Sequence, residues 1–437
     1  MTDALSNLSG TVSRFAASRL VQNVGALALV QASSYVVPLL TLPYLVRVLG
    51  VDDYGSVAFA QGLVAYFAVV VGWGFEWSAV RRVSLISMHS AESGAYVANV
   101  FAARLMLYFS CLVMGAPLLF AAPQIYANKE LIAILCIWLL AVATTPQWLF
   151  QGMESMSRLA AVQLCFDTVL IALVWLFVRA AGDEIKYVLI FSLVALARSI
   201  CGVIVAARTF GVVPARPSLR GMWQVLREGA HLFVSRSSIS LFAAGNAFIA
   251  GMLGGTTAAA YYFAGEKVIK AASALLGPLS QALYPRMVRL RSESEGQLFD
   301  LGRRVMILMA GASFLVTLVI MLGAPLISDA LFGATYRPSI AVLRILAPWV
   351  FINGITNVWG VQIMMPLHLD RSLSVIFIVS GLANIVLALA LVPVWGEVGM
   401  AVSVLISCLI VTAAMPVILW RKGIDPFRIK RRHIRGA

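Results

Sequence analysis

Charge is what this chain has least of. Only 12% of its 437 residues are Asp, Glu, Lys or Arg, and 61% are hydrophobic. A soluble domain carries about 25% charged and 45–50% apolar residues. A globule in water needs a polar surface, and too few polar side chains are present to make one. Lipid tolerates an apolar surface, so the composition, with a mean hydropathy of +0.91, places the chain in a membrane.

Other scarcities narrow the chemistry. The four histidines are scattered, and the five cysteines (Cys111, Cys136, Cys165, Cys201 and Cys408) form no CxxC pair. An odd number of cysteines inside apolar runs reads as small buried residues, not as disulfides or metal ligands. Neither a metal site nor a cofactor is expected. There is no phosphate-binding Gly-x-x-x-x-Gly-Lys loop, so the chain does not hydrolyse a nucleoside triphosphate itself. Gly-x-Ser-x-Gly and His-Glu-x-x-His are absent too, and no loop is large enough to be a polar catalytic domain. No cleavable leader is expected, because the first apolar stretch, from about Val21 to Val46, exceeds the 7–15 residues of a signal h-region.

What the chain does have is long apolar runs. A hydrocarbon core of ~30 Å takes about 20 helical residues to cross. Runs that meet this test lie at 21–46, 55–79, 94–120, 130–150, 158–179, 186–207, 229–252, 258–283, 304–327, 340–364, 372–393 and 398–420. That predicts an all-α membrane protein with about twelve transmembrane helices. Basic residues support the count by alternating between loops. Arg14 and Arg19, Arg81 and Arg82, Arg158, the 208–228 and 284–304 loops, Arg371 and the tail together hold 22 of them. Arg47, Lys129, Arg179, Lys186 and Arg337 are the five on the other side. The positive-inside rule puts the first set, and both termini, in the cytoplasm. It also accounts for the net charge of +14 without nucleic acid, and it makes anionic membrane lipids a partner.

The 208–228 loop divides the runs into two sets of six. We expect an N-terminal lobe at 1–207, a cytoplasmic linker at 208–228, a C-terminal lobe at 229–420 and a basic tail at 421–437. Two echoes mark the halves as parallel repeats. Leu49-Gly50 precedes Phe59-Ala60 by the same spacing at which Leu253-Gly254 precedes Phe263-Ala264. Trp148, Gln151 and Met153 recur as Trp359, Gln362 and Met364. Pro38 and Pro43 are expected to interrupt the first helix and Pro117 the third, since proline removes a helical hydrogen bond. Gly251, Gly254 and Gly255 are expected to loosen the end of the seventh.

Nine charges fall inside the runs, where each costs roughly 2.5–3.5 kcal/mol at a helix centre. The basic ones are Arg104, Arg198, Arg236, Lys267, Lys270 and Arg344; the acidic ones are Glu76, Asp167 and Glu266. Arg104, Asp167, Arg198, Glu266 and Lys267 lie deep, whereas Glu76, Arg236 and Arg344 sit near helix ends, where long side chains reach water. Pairing Arg104 with Asp167, and Glu266 with Lys267 or Lys270, would leave Arg198 over. The excess is positive, which suits an anionic passenger, and the arginine fork suits phosphate oxygens. Aromatics at the helix ends, Trp73, Phe75, Trp77, Trp148 and Trp359, read as a membrane belt or as platforms for sugar rings.

The chain resembles the bacterial polysaccharide flippases that move O-antigen repeat units, part of the multidrug/oligosaccharidyl-lipid/polysaccharide exporter superfamily. The resemblance rests on Pro43-Tyr44-Leu45-Val46-Arg47-Val48-Leu49-Gly50 with Tyr54-Gly55, and on Gly74-Phe75-Glu76-Trp77-Ser78-Ala79-Val80-Arg81. Gln147-Trp148-Leu149-Phe150-Gln151-Gly152-Met153-Glu154 and Tyr262-Phe263-Ala264-Gly265-Glu266-Lys267 add to it. Val80 and Arg82-Val83-Ser84 depart from the residues usual around that arginine. The resemblance implies two pseudo-symmetric six-helix bundles around a central cationic cavity. It also implies an inner-membrane location and an undecaprenyl-diphosphate-linked oligosaccharide as passenger. The six intramembrane cations would then hold the diphosphate. Asp167, Glu266 and Glu76 would be candidates for a coupling proton or sodium ion, and polysaccharide polymerases would be partners. The competing readings are a drug-type exporter of the same superfamily and a polymerase or ligase acting on the same lipid.

Overall fold

The computed structural model describes the backbone of residues 2–86, 90–277, 280, 283, 287, 290, 295–367 and 369–423. It describes their side chains except at 2–36, 91, 231–232, 234–244, 295–298 and 370. Among the described residues there is helix and turn but no strand.

In chain order the helices are α1 (Thr2–Gly72), α2 (Phe75–Val83), α3 (Ala91–Gly115), α4 (Pro123–Ala127), α5 (Lys129–Thr144), α6 (Gln147–Gly152) and α7 (Met156–Phe177). They continue with α8 (Glu184–Phe210), α9 (Leu219–Ala244), α10 (Asn246–Ala274), α11 (Glu295–Leu331), α12 (Ser339–Asn357) and α13 (Asp370–Arg421). Eight stretches among the described residues are long and apolar enough to cross a membrane. Large side chains such as Leu322, Leu326, Val386 and Val394 stand exposed along them, as they do where the surrounding solvent is hydrocarbon. The protein is a multi-pass membrane protein.

Two of those stretches, Val37–Val83 and Arg371–Arg421, span 47 and 51 residues, more than one crossing needs. Each contains a break. Gly50 has φ 78° and ψ −171° inside α1, and Gly396 has φ 55° and ψ −128° inside α13. A third break, at Gly255 in α10, has φ 84° and ψ 168°. Twelve crossings are consistent with this pattern, although the one read at 258–283 lies partly outside the described residues. The prolines behave differently from expectation. Helix α1 runs through Pro38 and Pro43, and its break comes at Gly50. The Thr41 hydroxyl adds a side-chain bond in this stretch, donating to Val37 O at 3.0 Å and to Pro38 O at 3.3 Å. At Pro117 the expectation is met, because α3 tightens there into a 3₁₀ turn, Ala116–Phe120.

Gly50 and Gly255 share an extended, positive-φ conformation that is open essentially to glycine alone. A Cβ at Gly50 would meet nothing within 4 Å, so the barrier to replacement is conformational and not steric. Gly50→Ala is expected to cost about 1–3 kcal/mol, read as a lower melting temperature in detergent. Gly72→Ala, equally uncrowded and without a positive φ, is the control that should leave the melt unchanged or slightly raised.

The turn that Gly50 makes is pinned to the α7–α8 loop. Asp53 Oδ2 accepts from the Gly182 amide at 2.7 Å, and the Tyr44 hydroxyl donates to Val178 O at 2.6 Å. Asp183 closes that loop. Its carboxylate pairs with Lys186 at 2.6 Å and accepts from the Arg179 and Ala180 amides. Lys186 first, then the Arg179 amide, hold its carboxyl down to about 2.

The chain forms two compact units, Met1–Ser237 and Ser238–Ala437. In the first, α5 packs on α8, α1 and α3, and α7 packs on α1 and α8. In the second, α12 packs on α10, α11 and α13, and α10 also packs on α13. The start of α9 belongs to the first unit. Its Val225 and Leu226 join a buried cluster with Phe75, Trp148 and Phe150. Trp73, held at φ 40°, fastens it by donating from Nε1 to Leu226 O at 2.9 Å and stacking on Phe233 at 4.3 Å. A left-handed conformation is rare for a bulky residue, and these two contacts offset its cost.

Candidate polar sites within the apolar helices

In the first unit, Arg104 and Asp167 do not pair. Arg104 extends from α3 to the end of α5, where Nη1 donates to Thr145 O at 2.8 Å and Nη2 to Val142 O at 2.6 Å. Helix α5 stops before Pro146, so its last carbonyls have no helical partner. A buried guanidinium satisfies two of them and places positive charge at the negative end of the helix dipole. Arg104 Nε is buried without a hydrogen-bond partner.

Asp167 of α7 pairs instead with Arg198 of α8, Oδ1 to Nη1, at 3.2 Å. The Asp167 side chain is about 10% exposed and that of Arg198 about 36%. The acid is therefore buried, while part of the arginine side chain is accessible. Next to Arg198 in sequence, Ser199 Oγ lies 2.8 Å from Thr144 Oγ1, and a Cβ at Gly202 would meet the Pro146 ring at 3.4 Å. Ser199 thus ties α8 to the end of α5 that Arg104 caps.

The second unit holds a buried polar cluster on α10 and α13. Glu266 Oε1 pairs with Lys270 Nζ at 3.1 Å, one helical turn on. The same oxygen accepts from the Tyr262 hydroxyl at 3.1 Å and from Asn246 Nδ2 at 3.4 Å. Asn246 Oδ1 accepts in turn from Asn384 Nδ2 at 3.1 Å. The chain of bonds ends at Asn384 Oδ1, which is buried and without a partner. A narrow cleft of about 30 Å³ adjoins the cluster, lined by Asn246, Tyr262, Glu266, Lys270, Leu346 and Trp349 among others.

Of the remaining predicted residues, Lys267 lies within electrostatic range of Glu266 and Glu76 within range of Arg104. Lys267 lies over the Phe263 ring, 4.3 Å from its centroid. Arg344 is exposed on α12, and Glu76 is exposed in the first turn of α2. The side chain of Arg236 lies outside the described residues. Among the described residues, no three His, Cys, Asp or Glu side chains come together.

Several polar groups went unnoticed in the sequence because they carry no charge. Asn246 and Asn384 are two. A second set, which includes the Gln362 of the internal echo, links α10 and Ser280 beyond it to α12 and the segment that follows. Asn353 Nδ2 donates to Ser273 Oγ at 2.9 Å, Ser280 Oγ to Asn357 Oδ1 at 2.7 Å, and Gln362 Nε2 to Ser280 O at 2.8 Å. Gln362 sits in a π-helical segment, Val358–Met364, a geometry found mostly as single turns, often at functional sites. Its counterpart in the internal echo, Gln151, sits in α6, just after the break at Thr145–Pro146. Both copies therefore lie where regular α-helix is interrupted.

Comparison with known proteins decides the family. The sequence profile of the polysaccharide biosynthesis protein family matches residues 20–291, well over half of the chain. The chain belongs to that family. A relative in Escherichia coli (strain K12), named "Putative O-antigen transporter", is 29% identical over 402 residues, covering 91% of this chain and 95% of the relative. The family's fold is shared with solved membrane transporters. A multidrug resistance MATE transporter in an inward-facing conformation superposes with a TM-score of 0.72 at 14% identity, covering 92% of this chain and 98% of that one. The lipid II flippase MurJ, in an inward closed conformation, gives 0.68 at 12% identity, covering 89% and 86%.

Proposed function

We propose that this family member is a transporter that carries an undecaprenyl-diphosphate-linked oligosaccharide repeat unit across the bacterial inner membrane. One observation carries the reading. The helices are apolar almost throughout, yet they hold buried ion pairs and amides at Asp167–Arg198 and at Glu266–Lys270 with Asn246. Polar groups in lipid-embedded helices are expensive and mark the path of a polar passenger. A diphosphate with sugars attached cannot cross hydrocarbon unaided, since each unsatisfied polar group costs several kcal/mol there. A protein that offers polar partners to one face of the membrane at a time removes that barrier. The E. coli relative named for O-antigen transport and the flippase of lipid II support the choice of passenger.

In this reading Arg198, whose side chain is partly exposed, receives a phosphate oxygen, while Arg104 holds the end of α5. Asp167 and Glu266, each paired with a cation, are the carboxylates at which a proton or sodium ion would couple. Both termini face the cytoplasm, where the excess of basic residues lies. The absence of a large polar loop favours transport over polymerase or ligase chemistry, and the cationic excess favours an anionic passenger over the cations of drug exporters.

Deletion from a host that makes surface polysaccharide tests the reading. Lipid-linked single repeat units should accumulate on the cytoplasmic side of the inner membrane, and restoring the chain should clear them. Units that reach the outer side but stay unpolymerised would show that the chain is a polymerase.

A further inference from the structure

We propose that the first turns of α9 are a docking face for the anionic phospholipid headgroups of the cytoplasmic leaflet. This face is separate from the polar sites described above, and its role holds whatever the passenger.

Successive side chains turn by about 100° around a helix, and residues 219–228 fall into distinct strips. Met222, Val225 and Leu226 turn toward the buried cluster that holds Trp148 and Phe150. Leu219 and Trp223, one turn apart, lie outside that strip and are 74% and 66% exposed. Arg220 and Arg227, both exposed, come next around the helix, within about 60° of Trp223. Arg216 is exposed just before the first turn. An apolar strip of Trp and Leu bordered by arginines is the pattern of helices that lie in the membrane interface. Depth agrees with it. Trp223 lies six residues before Gly229, where the apolar run read at 229–252 begins. That is about 9 Å of helix, which puts the strip beside the headgroup layer, where tryptophan is enriched.

Charge names the occupant. The 208–228 loop holds four arginines and a single acid, Glu228. Glu228 accepts from Gln224 Nε2 at 3.1 Å, about 140° around the helix from Trp223. Arg82 of α2 is already paired with Glu92 at 3.0 Å, whereas among the described residues Arg216, Arg220 and Arg227 enter no ion pair. Each basic group at an anionic leaflet raises the preference for that lipid by about fivefold. The face is also held in position. The Ser218 amide donates to Asn99 Oδ1 at 2.8 Å, and Ser218 Oγ accepts from the Gly221 amide at 3.1 Å. Further along, Leu226 O is bonded by Trp73. The loop is pressed so closely on α3 that a Cβ at Gly94 would collide with Val213 O, and one at Gly221 with the Asn99 side chain. A segment ordered in advance loses little freedom when it binds.

The test places the full-length protein in nanodiscs of phosphatidylcholine and phosphatidylglycerol in equal amounts, with no lipid-linked oligosaccharide present. A photo-crosslinking p-benzoylphenylalanine in place of Trp223 reports what covers the face. Irradiation at low salt should attach phospholipid at 223, with phosphatidylglycerol favoured about tenfold or more over phosphatidylcholine. Adding Arg220→Gln and Arg227→Gln should bring that ratio close to one, and so should high salt. Both arginines are exposed, so the melting temperature should not move. The wild type gives a second readout that needs no substitution. Backbone amides of 213–228 should exchange hydrogen at least threefold more slowly in the mixed nanodiscs than in phosphatidylcholine alone. Equal exchange in the two, crosslinks to protein instead of lipid, or a phosphatidylglycerol preference that survives loss of the two arginines would each overturn the docking face.

Discussion

Arg104→Ala is expected to lower the stability of the protein by about 2–5 kcal/mol, because hydrogen bonds to charged groups contribute about 1.5–3 kcal/mol each and two are lost. Some of that is offset by removing a buried charge, which itself costs desolvation. What is left behind decides the sign. Thr145 O and Val142 O, now bonded at 2.8 and 2.6 Å, would face apolar surroundings at a helix end that Pro146 prevents from continuing. Arg104→Met, which keeps much of the volume without the donors, should be nearly as damaging. Arg104→Lys should recover part of the loss, since an ammonium can reach one carbonyl but lacks the fork that reaches two. Melting temperature and the yield of monodisperse protein check the series. Equal stability across all three variants would mean that the α5 end needs no cap.

Arg198 should behave in the opposite way. Its side chain is about a third exposed, so Arg198→Gln keeps the fold while transport falls by about tenfold or more, the equivalent of 1.4 kcal/mol at the transition state. Asp167 complicates the single variant. Truncating one partner of a buried pair leaves the other uncompensated, and Asp167 is the more buried member. The double variant Asp167→Asn/Arg198→Gln removes both charges and should restore expression to wild-type levels. It should not restore transport if Arg198 holds the phosphate. If the double variant transports as wild type does, the pair is a structural tie between α7 and α8 and nothing more. Arg344→Gln, at an exposed position on α12, is the control expected to leave both stability and transport near wild type.

These two arginines show what a sequence can and cannot say about charges in lipid. That Arg104, Asp167 and Arg198 lie deep followed from their distance along apolar runs. Which of them meet did not follow, because pairing depends on how α3, α5, α7 and α8 pack and rotate. Arg104 was drawn away from Asp167 by the carbonyls at the end of α5, a demand created by Pro146 that only the packed helices reveal. Backbone breaks followed the same rule. Pro38 and Pro43 were plausible kinks, but α1 passes through both, and the chain turns at Gly50, where the backbone adopts a conformation that proline cannot.

Helix placement was far more legible. The runs read at 158–179, 186–207 and 340–364 fall on α7 (Met156–Phe177), on α8 (Glu184–Phe210) and on α12 with the π segment that follows it, Ser339–Met364. Length and hydrophobicity suffice there, because lipid imposes one solution on any long apolar stretch. The internal echo was legible to within a residue. It aligned Gly50 with Gly254, whereas the matching break is at Gly255. The amides were missed for a different reason. Asn246 and Asn384 carry no charge, and in a sequence nothing separates them from surface asparagines until α10 and α13 bring them to Glu266.

The central claim is tested most directly by reconstitution. The purified chain is placed in liposomes carrying the host's undecaprenyl-diphosphate-linked repeat unit in both leaflets, and an impermeant periodate reagent then oxidises whatever sugar is exposed. With the protein present, the fraction of sugar protected in the inner leaflet should fall toward zero, and with Arg198→Gln it should fall much more slowly. A protected fraction that stays at the level of protein-free liposomes would contradict the account.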